Sequence, residues 1–415
     1  PSPREPSEAS ASICLETLPD AATVHLRLGP EKSSSYAFNR VFSQESTQED
    51  VFGEVSGLVQ SALDGYNVCL FSYGQTGSGK THTMLGGSDA TSRGIIPRAV
   101  EKVVEASKIN EVKGWSYTLK ASYVEIYNET IRDLLSTVGH SDTTHKIIHE
   151  NGSTTISGVT TAIVESVEQA NVLVRKAAGA RKVEATQMNA HSSRSHAVFI
   201  LHVSGEHASS GTRMEGVLNL VDLAGSERVS RSGASGERLK EACSINKSLS
   251  SLGDVFAALA SKAKHVPYRN SKLTYLLAPC LGGDGKTLMF VNVAPEEESA
   301  EETVASLRFA STVNAVELGH GKRAKRNVTS MWPSFGNSQL SKEPPSTSQQ
   351  RRLSSRNLPP PSTAARRQSS GRLGSYGGQQ TGQKRGRSAA EENTASYGGG
   401  PSKTPRRTRG GRRWE

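Results

Sequence analysis

The chain has 415 residues, of which 34% are hydrophobic and 5% aromatic, so one large domain is expected together with a segment too poor in apolar residues to bury a core. The formal net charge of +10 is local, because residues 321–415 hold 20 Lys and Arg against 4 Asp and Glu while residues 1–320 hold 30 against 36. No run approaches the length of a membrane span, and the opening PSPREPSEAS lacks the apolar stretch of a secretory signal, so both are excluded as expectations.

Up to residue 320, short β-branched runs alternate with longer helical patterns, the rhythm of an α/β domain. A strand is predicted over residues 22–28. Residues 47–63 carry Val51, Phe52, Val55, Leu58, Val59 and Leu63 at spacings of three and four, which predicts a helix with one buried face. The apolar run 67–73 predicts a second strand, and it leads directly into Gly74-Gln75-Thr76-Gly77-Ser78-Gly79-Lys80-Thr81, a complete G-x-x-x-x-G-K-[ST] with a helical pattern after it. Glycines at those spacings let successive backbone N–H groups curl around phosphate oxygens. Lys80 adds a positive charge at the β/γ-phosphates, and the Thr81 hydroxyl is a candidate Mg²⁺ ligand.

A strand is predicted at 116–127 and a helix at 167–182, the latter with Ser166 as N-cap and Gln169 at the capping-box position. Then comes the polar loop Asn189-Ala-His-Ser192-Ser193-Arg194-Ser195-His196 before a strand at 196–203. Its hydroxyls can complete a metal shell or orient a water, and its arginine can pair with a carboxylate to close a lid over a phosphate. Taken alone, the loop is also an ordinary Ser-rich turn. His191 and His196 stand five apart, a poor spacing for shared zinc ligation. The four cysteines lie far apart with no C-x-x-C pair, which speaks against zinc and disulfides and fits a reducing intracellular compartment.

The apolar strand 215–221 ends in Asp222, the arrangement of a carboxylate on the Mg²⁺ side of a phosphate site, although a lone Asp also caps strand ends. Asp222-Leu-Ala-Gly225-Ser-Glu227 adds a glycine whose N–H could meet a γ-phosphate and a carboxylate two residues on. Residues 244–253 lead into a helix predicted at 254–262, with Lys247, Lys262, Lys264, His265, Arg269 and Lys272 in the neighbourhood. Such a local basic face on a net negative body suits an acidic surface, with an affinity that falls with salt. A final strand is predicted at 287–293.

Together these segments resemble the kinesin motor domain: GQTGSGKTHTM (74–84), NAHSSRSH (189–196), DLAGSER (222–228) and HVPYRNSKLT (265–274) look like its P-loop, switch I, switch II and microtubule-facing segments, in family order. The resemblance covers roughly residues 15–325 and implies a P-loop nucleotide hydrolase fold, a central mixed sheet flanked by helices. It implies ATP hydrolysis with Mg²⁺ and tubulin in microtubules as the acidic partner. Arg194 and Glu227 match a pair that closes the switches, and Asn189, Ser192, Ser193 and Gly225 match positions holding Mg²⁺, the attacking water or the γ-phosphate. Asp222 would reach the metal through water, and His82 matches a residue near adenine. A motor domain over residues 1–325 and a disordered basic tail over 326–415 are expected. Such a protein would work in the cytoplasm on the microtubule cytoskeleton, the spindle included.

Residues 306–323, S-L-R-F-A-S-T-V-N-A-V-E-L-G-H-G-K-R, are similar to motor ends that follow an N-terminal neck coiled coil and move toward the minus end. Two departures stand out. The family's opening strand, ending in an Arg-x-Arg-Pro segment near the adenine, has no counterpart at Pro1-Ser-Pro3-Arg4, which suggests a fragment of a longer protein. No heptads flank the domain, so a dimer would need segments outside this chain. Tail clusters such as 322–326, 383–387 and 406–409 could add a salt-sensitive contact with microtubules or nucleic acid, or serve as nuclear import signals, and the basic-flanked Ser354 and Ser369 and the Pro-directed Thr404 resemble kinase sites. Two other readings stand beside the motor: a non-motile, nucleotide-dependent microtubule-binding or regulatory protein, and an unrelated P-loop ATPase with a nucleic-acid tail.

Overall fold

The computed structural model describes residues 14–18, 20–28, 32–87, 89–136, 144–150, 153–187, 193–228, 237–282 and 285–316, without the side chains of 153, 182–187 and 237–242. In chain order the elements are β1 (Leu15–Thr17), β2 (Thr23–Arg27), β3 (Ser33–Ala37), α1 (Gln48–Leu63), β4 (Asn67–Tyr73), α2 (Lys80–Met84), α3 (Ile95–Glu111), β5 (Trp115–Tyr127), β6 (Thr130–Asp133), β7 (Ile147–Glu150), β8 (Ser153–Ile156) and β9 (Ala162–Ile163). They continue with α4 (Val167–Gln187), β10 (His196–His207), β11 (Arg213–Asp222), α5 (Glu237–Ala260), α6 (Lys272–Leu281), β12 (Lys286–Val291) and α7 (Ala300–Asn314).

The central sheet has the order β12-β4-β11-β10-β5-β6, with β9 also on β5. β4 lies parallel to both β12 and β11, and the pairs from β11 through β10 and β5 to β6 are antiparallel. The sheet is thus the expected mixed one. Its inner strands are apolar on both faces because both faces are covered. On β4, Val68 and Leu70 point to one side and Cys69, Phe71 and Tyr73 to the other; on β10, Phe199 and Leu201 oppose Val198 and Ile200. The first core is closed by α1, α3 and α4 through Val59, Val100 and Val174, and the second by α5 and α6 through Leu252, Phe256 and Leu277, with α7 at its margin. A separate three-stranded sheet, β1-β2-β3, packs Val24 and Leu26 against Ala300 and Leu307.

Local chemistry explains some element ends. Thr47 caps α1 in a full capping box, accepting from the Asp50 N–H at 3.2 Å while its own N–H donates to Asp50 Oδ2 at 2.8 Å. At α4, Ser166 accepts from the Gln169 N–H at 3.2 Å, but the Gln169 side chain reaches one residue further back, to the Glu165 N–H at 2.9 Å. The helix predicted at 254–262 is instead the end of α5, which begins at Glu237. Ile245, Leu249, Leu252 and Phe256 keep one apolar stripe through the Ser-rich stretch. The hydroxyls of Ser248 and Ser251 are absorbed by the helix's own carbonyls, Ile245 O at 2.7 Å and Lys247 O at 2.7 Å. Likewise α4 runs to Gln187 rather than ending at 182. Residues 317–415, with the expected tail and its basic and phosphorylation motifs, lie outside the described residues.

Candidate functional site

Because β4 and β11 are parallel, with Asp222 level with Ser72, the loop leaving β4 and the carboxylate ending β11 emerge at one edge. Gly74 enters the loop at φ 148° and Gly79 leaves it at φ 99°, backbone that strains any residue with a Cβ. At Gly74 a Cβ would also collide with the Asn292 carbonyl. Gln75 donates to Ser299 Oγ at 3.0 Å and the Ser78 hydroxyl donates to Gln75 O at 2.8 Å, so the loop is held from outside and within. Thr76 and Gly77 are exposed at its tip. Lys80 is buried and its ammonium donates to the Gly74 and Gln75 carbonyls at 2.9 and 2.8 Å. Burial lowers its pKa, opposed by the nearby Asp222 and Glu227 carboxylates.

Behind the loop lies a buried polar network. The Thr81 hydroxyl donates to Asp222 Oδ2 at 2.8 Å, and Arg181 on α4 donates to the same oxygen at 2.6 Å. Arg181 also donates to Ser195 O at 3.1 Å, and the Ser195 hydroxyl donates to Glu125 Oε1 at 2.5 Å. The Arg181 Nε stands 3.8 Å from that carboxylate, so one guanidinium bridges two wholly buried acids. Nothing in the sequence reading singled out Arg181 or Glu125. The signal was present: Ala170, Val174 and Ala177 form the buried stripe of α4, and Arg181 takes its next position, where a charge needs a partner.

The segment after Asp222 is threaded between the loops. The Gly225 N–H donates to Ser193 O at 2.8 Å and the Ser226 N–H to Gly74 O at 3.1 Å. Glu227 accepts from the Thr76 N–H at 2.9 Å and the Thr76 hydroxyl at 2.6 Å. The expected Arg194–Glu227 pair is therefore not formed here; two P-loop donors satisfy the carboxylate, and Arg194 is half-buried elsewhere on the loop. Asn189 and Ser192 lie outside the described residues. His82, half-buried on α2, has its pKa lowered by burial, and its carbonyl accepts from Gln48 Nε2 at 2.7 Å.

The kinesin motor domain family matches residues 3–316 of the chain. The chain belongs to the kinesin motor family. It is 54% identical over 302 residues to kinesin-like protein KIN-14C of Arabidopsis thaliana, covering 69% of this chain and 38% of that protein. Kinesin-like protein klpA of Emericella nidulans is 51% identical over 314 residues, covering 72% and 40%. The chain thus spans about two fifths of the length of these curated relatives. Among solved structures, the motor domain of the kinesin-like protein Kar3 of Saccharomyces cerevisiae shares 45% identity at a TM-score of 0.65, covering 74% of this chain and 94% of that one. A fast kinesin, at 36% identity, reaches a TM-score of 0.71 and covers 80% and 95%. The KIN-14 and Kar3-type matches among these are C-terminal-motor kinesins.

Within this kinesin motor the basic candidates other than Lys247 gather where α5 gives way to α6. Lys247 is exposed on α5; Lys262, Lys264 and His265 are exposed in the connection, and Arg269 is exposed on the short turn before α6. Lys272 differs: it is half-buried as the first residue of α6, and its N–H donates to Glu129 Oε2 at 2.8 Å. The donor set at the P-loop edge also suits a hard cation. A hydroxyl and a carboxylate oxygen, Thr81 Oγ1 and Asp222 Oδ2, stand 2.8 Å apart, the oxygen chemistry Mg²⁺ prefers. Among the described residues no three His, Cys, Asp or Glu side chains form a metal cluster. A Mg²⁺ held through phosphates, hydroxyls and one carboxylate needs none.

Proposed function

We propose that this kinesin motor domain hydrolyses ATP with Mg²⁺, is accelerated by polymerised tubulin, and moves along microtubules toward the minus end. The carrying observation is the P-loop edge itself: Lys80, Thr81 and Asp222 converge at the ends of two parallel strands, with the 223–227 segment bonded back to the same loop. In this reading Gly74, Gln75, Thr76, Gly77, Ser78 and Gly79 wrap the triphosphate with their N–H groups, and Lys80 leaves the Gly74 and Gln75 carbonyls to meet the β/γ-phosphates. Thr81 and Ser193 would hold Mg²⁺ directly and Asp222 through water, and the ion would supply positive charge to offset charge that develops on the phosphates. His82 borders the adenine. Asn189, Ser192 and Gly225 position the γ-phosphate and the water that attacks it. Glu227 exchanges Thr76 for Arg194 as the two switch segments close, so catalysis proceeds by positioning and electrostatics without a covalent intermediate.

The polymer partner is read from the α5–α6 corner, where Lys247, Lys262, Lys264, His265, Arg269 and Lys272 present positive charge to an acidic surface. Direction rests on the kinship with C-terminal-motor kinesins and on residues 306–323. Steady-state ATP turnover with and without polymerised tubulin, at low and moderate salt, tests the first part. Strong stimulation that weakens with salt is expected, and unstimulated turnover rejects it. Gliding of polarity-marked microtubules over the surface-bound chain tests direction, and plus-end-directed gliding overturns the minus-end assignment.

A further inference from the structure

One buried side chain touches three elements of the motor and has no part in the reading above. His196 is the first residue of β10, with only 2% of its surface exposed. Its Nδ1 accepts from the Ala224 N–H at 3.0 Å, and its Nε2 stands 2.6 Å from the Ser248 hydroxyl on α5. A backbone N–H can only donate, so Nδ1 is the bare nitrogen and Nε2 carries the proton. The Ser248 oxygen therefore accepts from His196, while its own hydrogen goes to Ile245 O at 2.7 Å. Each group in this chain has one role, and the imidazole has one tautomer. A second proton on the ring would set N–H against N–H; burial and the neighbouring Arg181 cation hold the pKa down at about 3, so the ring is neutral.

Its position gives the contact its meaning. Three successive amides of the segment after Asp222 have three separate acceptors: Ala224 on His196, Gly225 on Ser193 O, and Ser226 on Gly74 O. The last two bonds go to loop carbonyls of the nucleotide site, whereas the first goes to a sheet residue that is itself tied to α5. When Gly225 turns its N–H toward a γ-phosphate, the Ala224 bond can persist as the pivot. A displacement of the Ala224 amide would pass through one rigid ring to the helix that carries Lys247 and ends at the basic corner.

We propose that His196 and Ser248 are positioning residues that couple the segment after Asp222 to α5, so that the track-facing helix and the nucleotide site report on each other through one imidazole. The proposal rests on the tubulin-stimulated ATPase reading above.

Ser248→Ala removes only a hydroxyl from a small buried side chain and tests the link with little risk to folding. In the 415-residue chain, basal turnover and the tubulin concentration for half-maximal stimulation are expected to stay close to the parent's and Tm to fall by only a few degrees, as for one unpaired buried N–H, while maximal tubulin-stimulated turnover drops about fivefold or more. His196→Asn, which keeps an acceptor in reach of the Ala224 N–H but cannot reach Ser248, is expected to give the same phenotype. The double variant should be no worse than either single one, as for one broken link. Full stimulation in Ser248→Ala overturns the proposal, as does a loss shared equally by basal turnover and Tm, which would mark mere packing. A parent chain that tubulin does not accelerate sinks the functional reading, and the proposal falls with it.

Discussion

At the edge where β4 and β11 end, Lys80, Arg181, Ser195, His196 and Asp222 are all buried and bonded across elements, whereas at the α5–α6 corner Lys262, Lys264, His265 and Arg269 stand exposed. The first region places charges where water cannot screen them, so each partner is needed by another. The second offers charge to a surface that water and salt also reach, so its members share the work. Substitutions should therefore act steeply and non-additively at the edge and in shallow, additive, salt-dependent steps at the corner.

The steepest effect is expected at Lys80→Ala, which takes the only P-loop side-chain cation from the phosphates; nucleotide binding or turnover should fall by about a thousandfold or more, read by nucleotide titration and steady-state hydrolysis. Glu227→Ala comes next and separates binding from chemistry: nucleotide affinity should persist while hydrolysis falls by about a hundredfold or more. Normal hydrolysis by that variant would show that the carboxylate's bonds to Thr76 are its whole role. Arg181→Ala should act on the fold as well, because it leaves Asp222 and Glu125 buried without the cation between them. A loss of about 3 to 5 kcal/mol in denaturant unfolding is expected, and a loss below about 1 kcal/mol would mean that the two acids rearrange or take up protons at little cost. The mildest is the pair Lys264→Ala and Arg269→Ala: each should weaken tubulin binding by roughly two- to fivefold at low salt, less at high salt, with maximal turnover kept. A drop in maximal turnover instead would place the corner in the coupling path and blur the contrast between the two regions.

How much of this was readable in advance follows the same divide. The P-loop was legible because its backbone demands glycines at Gly74 and Gly79 and its chemistry demands Lys80 and Thr81, all within eight consecutive residues. The strand carrying Asp222 was legible from an unbroken apolar run, and the helix α1 from its apolar stripe, though Thr47 is its cap and not its first residue. The first half of α5 was hidden by serines whose hydroxyls fold back onto the helix. The strands β1 and β3 were missed because Ser33–Ala37 is polar and only three residues of β1 pair.

By itself the sequence determined five strands of the central sheet, β4, β5, β10, β11 and β12, but not β6 or β9, together with the phosphate loop, the carboxylate at the end of β11 and the family, since each of these is written in neighbouring residues whose spacing or backbone conformation is constrained locally. Only the tertiary structure decided which buried charge meets which. Arg181 reaches Asp222 across 41 positions and Glu227 reaches Thr76 across 151, and those distances are closed by strand register and helix packing. His196 joins Ala224 to Ser248 for the same reason: a side chain's partner is set by where the folded chain returns, and no local pattern records that.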